Sequence, residues 1–406
     1  MITPTSPEES SMLTQFPAMG VYEILFRFYR ETGDRLGAEG THPYAQGSPL
    51  TTAVPGGDYE IPTELKISSA DLKYPQANGN MPLLMAIRDY YNHFYGCDIS
   101  TENIAIFGGG RPALYTTLAF LKSQIKVLVE ETEYSPYWDV LKLLEKDVEV
   151  IPSNPDNNFR PTLADYEAAA ERCEEGSFIL KSNPSNPTGV MTRGEELQRL
   201  VDFCEMPGHG GIIDEAYEYI QYPVIESAMK YVRDLDNSNL FVCSSATKGL
   251  QSPGARIGWV ISSKKNTKLF RNFSSMASGG VSQLSQIFVA GLLDLERVTK
   301  IRESIGKFYA EQRTRYGEAL KALGFELYSG DAGFYHWAKL PNNITCTEFN
   351  DRLFEHKAAI LPGTMCDMFR RDLSECPQGH FIRFSFGPLP PESFEEDIDI
   401  LSKCVY

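Results

Sequence analysis

Lys248 stands three residues after Ser245 and eight before Arg256, just past the apolar run 240–244. A lysine amine at the end of a buried strand can condense with a carbonyl once it has lost its proton. Arg256, set among small residues in Gly254-Ala255-Arg256-Ile257-Gly258 and entering an apolar run, is badly placed to be merely solvated and reads as a ligand for phosphate. A lone lysine after a strand is usually a surface charge; the arginine beside it changes the reading. Asp214 closes a second apolar run in Gly211-Ile212-Ile213-Asp214. A carboxylate there is commonly a cap, but it can also hold a proton on a ring nitrogen and so preserve an electron sink. Gly108-Gly109-Gly110-Arg111 lies between the apolar run 104–107 and a helical pattern, where backbone amides and a helix N-terminus cradle phosphate.

Strands must hold these groups. From about residue 100, short apolar runs alternate with longer amphipathic ones, the pattern of β-α units and a parallel sheet. Strands are predicted at 104–107, 127–130, 178–182, 211–214, 240–244 and 256–261. A helix is predicted at 113–122, where Leu114, Leu118 and Leu121 recur at helical spacing. Capping-box spacing predicts two more helix starts, at Thr162 with Asp165 and at Thr192 with Glu195. The lysine and the carboxylate would then stand at carboxyl ends of parallel strands, where such sheets bind ligands. Beyond about residue 290 come a charged helix (297–323), strands at 325–329 and 334–339, a helix around Phe349, a strand at 380–386 and a closing helix from Pro391. This pattern predicts a large α/β domain over 51–290 and a smaller α+β domain over 291–406. The segment 1–50, with a helix at 20–32, is expected to pack with the small domain.

Composition narrows the class. A chain of 406 residues with 42% hydrophobic and 23% charged residues can bury a large core. The net charge of −16 argues against a nucleic-acid or anionic-membrane partner. Met1 to Ser11 is polar and includes Glu8 and Glu9, and no apolar run is long enough to cross a bilayer, so a cytoplasmic protein is expected. Eight cysteines without a C-x-x-C pair or clustered histidines predict reduced, mostly packed thiols and no metal site.

Asn183-Pro184-Ser185-Asn186-Pro187-Thr188-Gly189 follows the predicted strand at 178–182. With it the chain resembles the class I/II aminotransferases, pyridoxal-phosphate (PLP) enzymes of fold-type I, in seven motifs that keep the family order over nearly its whole length. The resemblance implies a mostly parallel central sheet in a large domain, a smaller α+β domain, and a homodimer. It implies Lys248 as the Schiff-base lysine, Asp214 as partner of the pyridine nitrogen, and Asn186 and Tyr217 as partners of the cofactor's phenolic oxygen. Ser245, Arg256, Gly109, Gly110 and Arg111 correspond to phosphate ligands, and Tyr134 to the aromatic stacked on the pyridine, which with Lys248 and Asp214 makes up the catalytic set. Tyr74, in the pattern with Gly79 and Leu83, resembles the tyrosine that family dimers give to the neighbouring subunit's phosphate. Arg383, in Phe381-Ile382-Arg383-Phe384-Ser385-Phe386, corresponds to the fork that grips the substrate α-carboxylate, and Gly47 to the loop on the substrate side. Thr132 replaces the proline common before the stacking aromatic. Arg111 and Pro112 are unusual in the phosphate loop: Arg111 reads as an extra phosphate ligand or, less simply, as a second anion site for the substrate.

The activity implied is transfer of an amino group from an α-amino acid to a 2-oxo acid in two half-reactions. Lyase, cyclase or oxidase chemistry from the same carbanion is the alternative. A PLP-binding sensor would need a basic DNA-binding module, which the first fifty residues are too short and too poor in basic residues to form. A structural protein that had lost catalysis would not keep Lys248, Asp214 and Arg383 together. Residues 272–280 contain no basic side chain where aspartate-specific enzymes of similar fold place a second arginine, so a simple dicarboxylate is not expected as preferred substrate. Arg111 is the one residue that could supply that charge.

Overall fold

The computed structural model describes residues 12, 13, 16 and 19–405; the polar stretch Met1 to Ser11 lies outside them. Seven strands form the larger sheet: β1 (Ile104–Phe107), β2 (Lys126–Glu130), β3 (Val148–Ile151), β4 (Ser177–Ser182), β5 (His209–Asp214), β6 (Leu240–Ser245) and β7 (Gly258–Ile261). Their order is β1-β7-β6-β5-β4-β2-β3, parallel throughout except for β7, which runs antiparallel to both β6 and β1. Two antiparallel steps bring β1 back into the direction of β6, so its carboxyl end opens on the same side of the sheet as those of β2, β4, β5 and β6. Val127, Leu128 and Val129 are fully buried, as are Ile212 and Ile213, because helices cover both faces of the sheet.

Among the described residues there are eleven α-helices: α1 (Tyr22–Thr32), α2 (Met81–Tyr95), α3 (Gly110–Phe120), α4 (Ser135–Leu143), α5 (Leu163–Ala170), α6 (Gly194–Glu205), α7 (Lys264–Ala277), α8 (Gln283–Leu292), α9 (Leu295–Ala322), α10 (Cys346–Phe354) and α11 (Phe394–Val405). The 28-residue α9, about 42 Å long at 1.5 Å per residue, runs from Glu60, whose carbonyl accepts from Arg297 Nε at 3.0 Å, to the second sheet. That sheet is antiparallel, in the order β10-β11-β9-β8, from β8 (Glu326–Leu327), β9 (Tyr335–Lys339), β10 (Leu361–Pro362) and β11 (Phe381–Ser385). Ile24 and Phe28 of α1 pack with Trp337, Phe354 and Phe381 around it, and His42 bridges to Ala358. Among the described residues no helix is long and apolar enough to cross a membrane. All eight cysteines are free thiols, six of them buried.

The differences from sequence expectation have local causes. The predicted box at Thr162 forms: Thr162 N–H and Oγ1 donate to Asp165 Oδ2 at 2.7 and 2.8 Å. The one predicted at Thr192 does not, and α6 starts at Gly194 behind Arg193. Asn183 has claimed the Thr192 backbone, accepting its N–H at 2.9 Å and donating to its carbonyl at 2.9 Å, which closes the 183–192 loop. β7 begins two residues later than predicted, because Arg256 takes a left-handed conformation (φ 53°) after a short 3₁₀ turn. Edge strand β3 went unpredicted, since it is only partly buried and Glu149 interrupts its apolar pattern.

Candidate active site

Five strand ends converge. The loop after β1 carries Gly109, Gly110 and Arg111 into α3; the end of β2 leads to Tyr134; β4 leads to Asn186; β5 ends in Asp214 and leads to Tyr217; and β6 ends in Ser245 with Lys248 close behind. Gly110, Arg111, Tyr134, Asn186, Asp214, Tyr217, Ser245, Lys248 and Arg256 line one cleft of about 410 Å³. A recess of about 80 Å³ adjoins it, lined by Gly47 and Arg383 together with Arg111, Tyr134, Asn186, Tyr217 and Lys248. A second large cavity of about 380 Å³, walled largely by Phe120, Phe178, Phe241 and Phe270, opens at the other end of the sheet and holds none of these residues.

One end of the cleft suits a phosphate. The first amides of α3 have no carbonyl of their own helix to bond, and Ser245 lies against Gly110. Arg256 Nη1 donates to the Pro253 carbonyl at 3.0 Å, and its Nη2 sits over the glycine loop, where a Cβ on Gly109 (φ 122°) would collide with it. A Cβ on Gly258 would come within 2.5 Å of the Gly109 backbone, so both glycines are needed for the loop to lie this close to β7.

At the floor, Asp214 Oδ2 accepts from the Tyr137 hydroxyl at 2.9 Å and Oδ1 from Ala216 N–H at 3.1 Å. Burial pushes its carboxyl up to about 6, against the pull of those two bonds and of the Lys248 charge. Lys248 Nζ donates to the Gly47 carbonyl and lies 5.7 Å from the centre of the Tyr217 ring. Burial lowers its pKa to about 7, helped by the charges of Arg383, Arg111 and Arg256. Arg383, 5% exposed, donates from Nη1 to Asn186 Oδ1 at 2.9 Å and from Nη2 to the Ala45 carbonyl at 2.7 Å. Its Nε is buried without a partner among the described residues. A donor left orphaned in a cationic recess is what a substrate carboxylate would satisfy.

The expected residues therefore meet, apart from Tyr74. That side chain is 95% exposed and stands away from the cleft of its own chain. Arg111 donates from Nε to the Tyr134 hydroxyl at 2.8 Å and borders both cavities, so the structure leaves both readings of it in place. Tyr137 was missed by sequence reasoning although it lies three residues beyond Tyr134, the residue that precedes α4, and the two rings meet edge-on with centroids 5.3 Å apart. Ser182 and Tyr22, which also line the cleft, were missed too. Tyr22 is brought to the mouth by the distant α1, and no local pattern announces it.

Comparison with known proteins accords with this architecture. An aspartate aminotransferase of Pyrococcus horikoshii is 25% identical over 324 residues, covering 76% of this chain and 80% of that protein. An LL-diaminopimelate aminotransferase of Dehalococcoides mccartyi is likewise 25% identical, covering 76% and 81%. The fold matches that of Thermus thermophilus aspartate aminotransferase with maleate at a TM-score of 0.79, with 19% identity and 99% and 100% coverage, which makes this the fold-type I architecture. Residues 44–398 match the family described as aminotransferase class I and II, and the chain belongs to that family.

Proposed function

We propose that this aminotransferase moves the amino group of an α-amino acid to a 2-oxo acid using PLP held at Lys248. One observation carries the reading: Lys248 lines both the cleft that suits a phosphorylated ring and the recess that ends in the Arg383 fork. The residues fit the cofactor, with a helix N-terminus, Ser245 and Arg256 for the phosphate, Asp214 for the ring nitrogen, and Tyr134 for a ring face. Bound there, PLP would supply an electron sink and carry the amino group between the two half-reactions. The chain does the rest. Arg383 binds and orients the α-carboxylate. Lys248 would hold the cofactor, and its amine would take up and hand back the proton of the substrate Cα. Asp214 keeps a proton on the ring nitrogen by offsetting its charge in a buried site.

Arg383→Lys keeps the charge but loses the planar fork. Losing one charge-assisted hydrogen bond is worth about 1.5–3 kcal/mol, so KM for the amino acid should rise roughly 10- to 100-fold while PLP affinity stays near wild type. Equal losses of both would place Arg383 in the cofactor site instead. Comparing kcat/KM for aspartate with values for neutral and aromatic amino acids tests the substrate class. Neutral or aromatic substrates should lead, because residues 272–280 offer no cation to a distal carboxylate. A clear preference for aspartate would assign that role to Arg111.

The working unit is a homodimer in the cytoplasm on this reading, divided as 1–50, 51–290 and 291–406. Tyr74 supports the dimer: it is exposed on a stretch where Leu65, Ile67 and Leu72 are exposed as well. Sedimentation of the holoprotein should give twice the chain mass, with Tyr74→Phe weakening PLP binding. An active monomer would refute the assembly.

A further inference from the structure

The end of β2 runs into Glu130-Glu131-Thr132-Glu133, and all three acids are 5% exposed or less. Taking a carboxylate out of water is costly unless charge or hydrogen bonds compensate. Glu130 is ion-paired with buried Lys181 and accepts from the Tyr166 hydroxyl at 2.5 Å. Glu131 accepts from Arg371 Nη2 at 2.6 Å and from Asn154 Nδ2 at 2.9 Å. Glu133 has no ion-pair partner among the described residues. Its Oε1 accepts from Tyr134 N–H at 2.8 Å and Ser182 Oγ at 2.5 Å, and its Oε2 from Ser182 N–H at 3.2 Å. Burial, and then the charge of Glu130, pushes this carboxyl up to about 8.

Those bonds lead to both walls of the site. One holds the backbone of Tyr134, which borders the cleft and the recess alike. The others hold Ser182, whose Oγ accepts from Asn186 N–H at 3.0 Å, and Asn186 Oδ1 in turn accepts from Arg383 Nη1 at 2.9 Å. The Glu133 N–H also donates to the Cys366 carbonyl at 3.0 Å, which fixes its own backbone against the segment beyond β10. We infer that Glu133 is a positioning residue for substrate binding: its carboxyl seats Tyr134 and, through Ser182 and Asn186, sets the Arg383 fork. The inference rests on the reading of the Arg383 recess as the amino-acid site.

Holoenzyme carrying Glu133→Ala, Glu133→Gln, Ser182→Ala, or Glu133→Ala with Ser182→Ala tests it. Readouts are KM and kcat for the amino donor, visible circular dichroism of the bound cofactor, and the thermal unfolding midpoint. Glu133→Ala should raise KM roughly tenfold, the loss expected from one or two hydrogen bonds, with a smaller change in kcat and an altered cofactor dichroism. Glu133→Gln keeps an oxygen for Tyr134 N–H and Ser182 Oγ but turns an NH₂ toward Ser182 N–H, so its loss should be smaller than that of Glu133→Ala without vanishing. The double variant should lose little more than Glu133→Ala alone, since both changes cut one chain of bonds. If Glu133→Ala does not fold, Ser182→Ala decides: KM should rise while the dichroism stays as in wild type. A Glu133→Ala protein that loses only unfolding temperature, a Ser182→Ala protein with unchanged KM, or losses that simply add would overturn the assignment. Should wild type turn over no amino acid, the functional reading fails instead, and the dichroism still reports whether Glu133 seats Tyr134.

Discussion

Lys248→Ala is expected to leave a folded protein that no longer fixes PLP covalently: no visible band of lysine-bound cofactor, no attachment stable to borohydride, and turnover lower by about 10³-fold or more. Lys248 is the lysine that borders both cavities. An ordinary lysine, with a pKa near 10.4, is almost wholly protonated at neutral pH and a poor nucleophile. Burial and three neighbouring guanidinium groups bring Lys248 down to about 7, so a large share of it is the free amine at physiological pH. That shift gives the pH dependence a definite sign. Covalent capture of PLP by the cofactor-free protein should accelerate as pH rises through about 7 and level off above it, since the depressed group is then neutral. Folding should survive the change, because removing the amine relieves its repulsion with Arg383, Arg111 and Arg256. Trapping of PLP at another lysine in the variant would remove Lys248 from its role.

Asp214→Asn should keep PLP bound and depress turnover steeply, by roughly 10²- to 10³-fold, the scale of losing one preorganised electrostatic partner. The amide can still accept from Ala216 N–H, and the Tyr137 hydroxyl can turn to accept from the new NH₂, so the pocket should keep its shape. What disappears is the negative charge that balances a protonated ring nitrogen. In the empty site the carboxyl, raised by burial to about 6, ionises as pH climbs through that value. Cofactor affinity should therefore fall only modestly below about pH 6, toward the level that Asp214→Asn retains. Tyr137→Phe removes a bond that lowers the Asp214 pKa, so the acid limb of this profile should move to higher pH. Unchanged turnover in Asp214→Asn would show that the carboxylate serves only the fold.

Much of the site was readable because it is built from strand ends. A strand buried on both faces is a short apolar run, and the residues next in sequence after it lie at its carboxyl end in space, so Gly109, Asp214 and Lys248 could be placed from the sequence pattern, while Tyr134 and Asn186 came from the family resemblance. The features that escaped depend on contacts between distant segments. Nothing local shows that β7 runs antiparallel or that Tyr22 of α1 closes on the cleft. Glu133 reads in sequence as one more acid in an acidic stretch, and its burial beneath Tyr134 and Asn186 exists only once β2 and β4 pair. Tyr137 differs from these cases: its spacing from Tyr134 was in view, but its partner Asp214 lies 77 residues away.

Lys248 and its neighbours, on this reading, make an amino-group carrier rather than an elimination or oxidation site. Mixing purified holoprotein with single amino acids in the absence of any 2-oxo acid tests that claim most directly. An accepted amino acid should yield one 2-oxo acid per site and then stop, with the lysine-bound cofactor band replaced by that of the aminated cofactor and restored when a 2-oxo acid is added. Ammonia or peroxide accumulating with turnover, or 2-oxo acid forming beyond one per site without an acceptor, would contradict it.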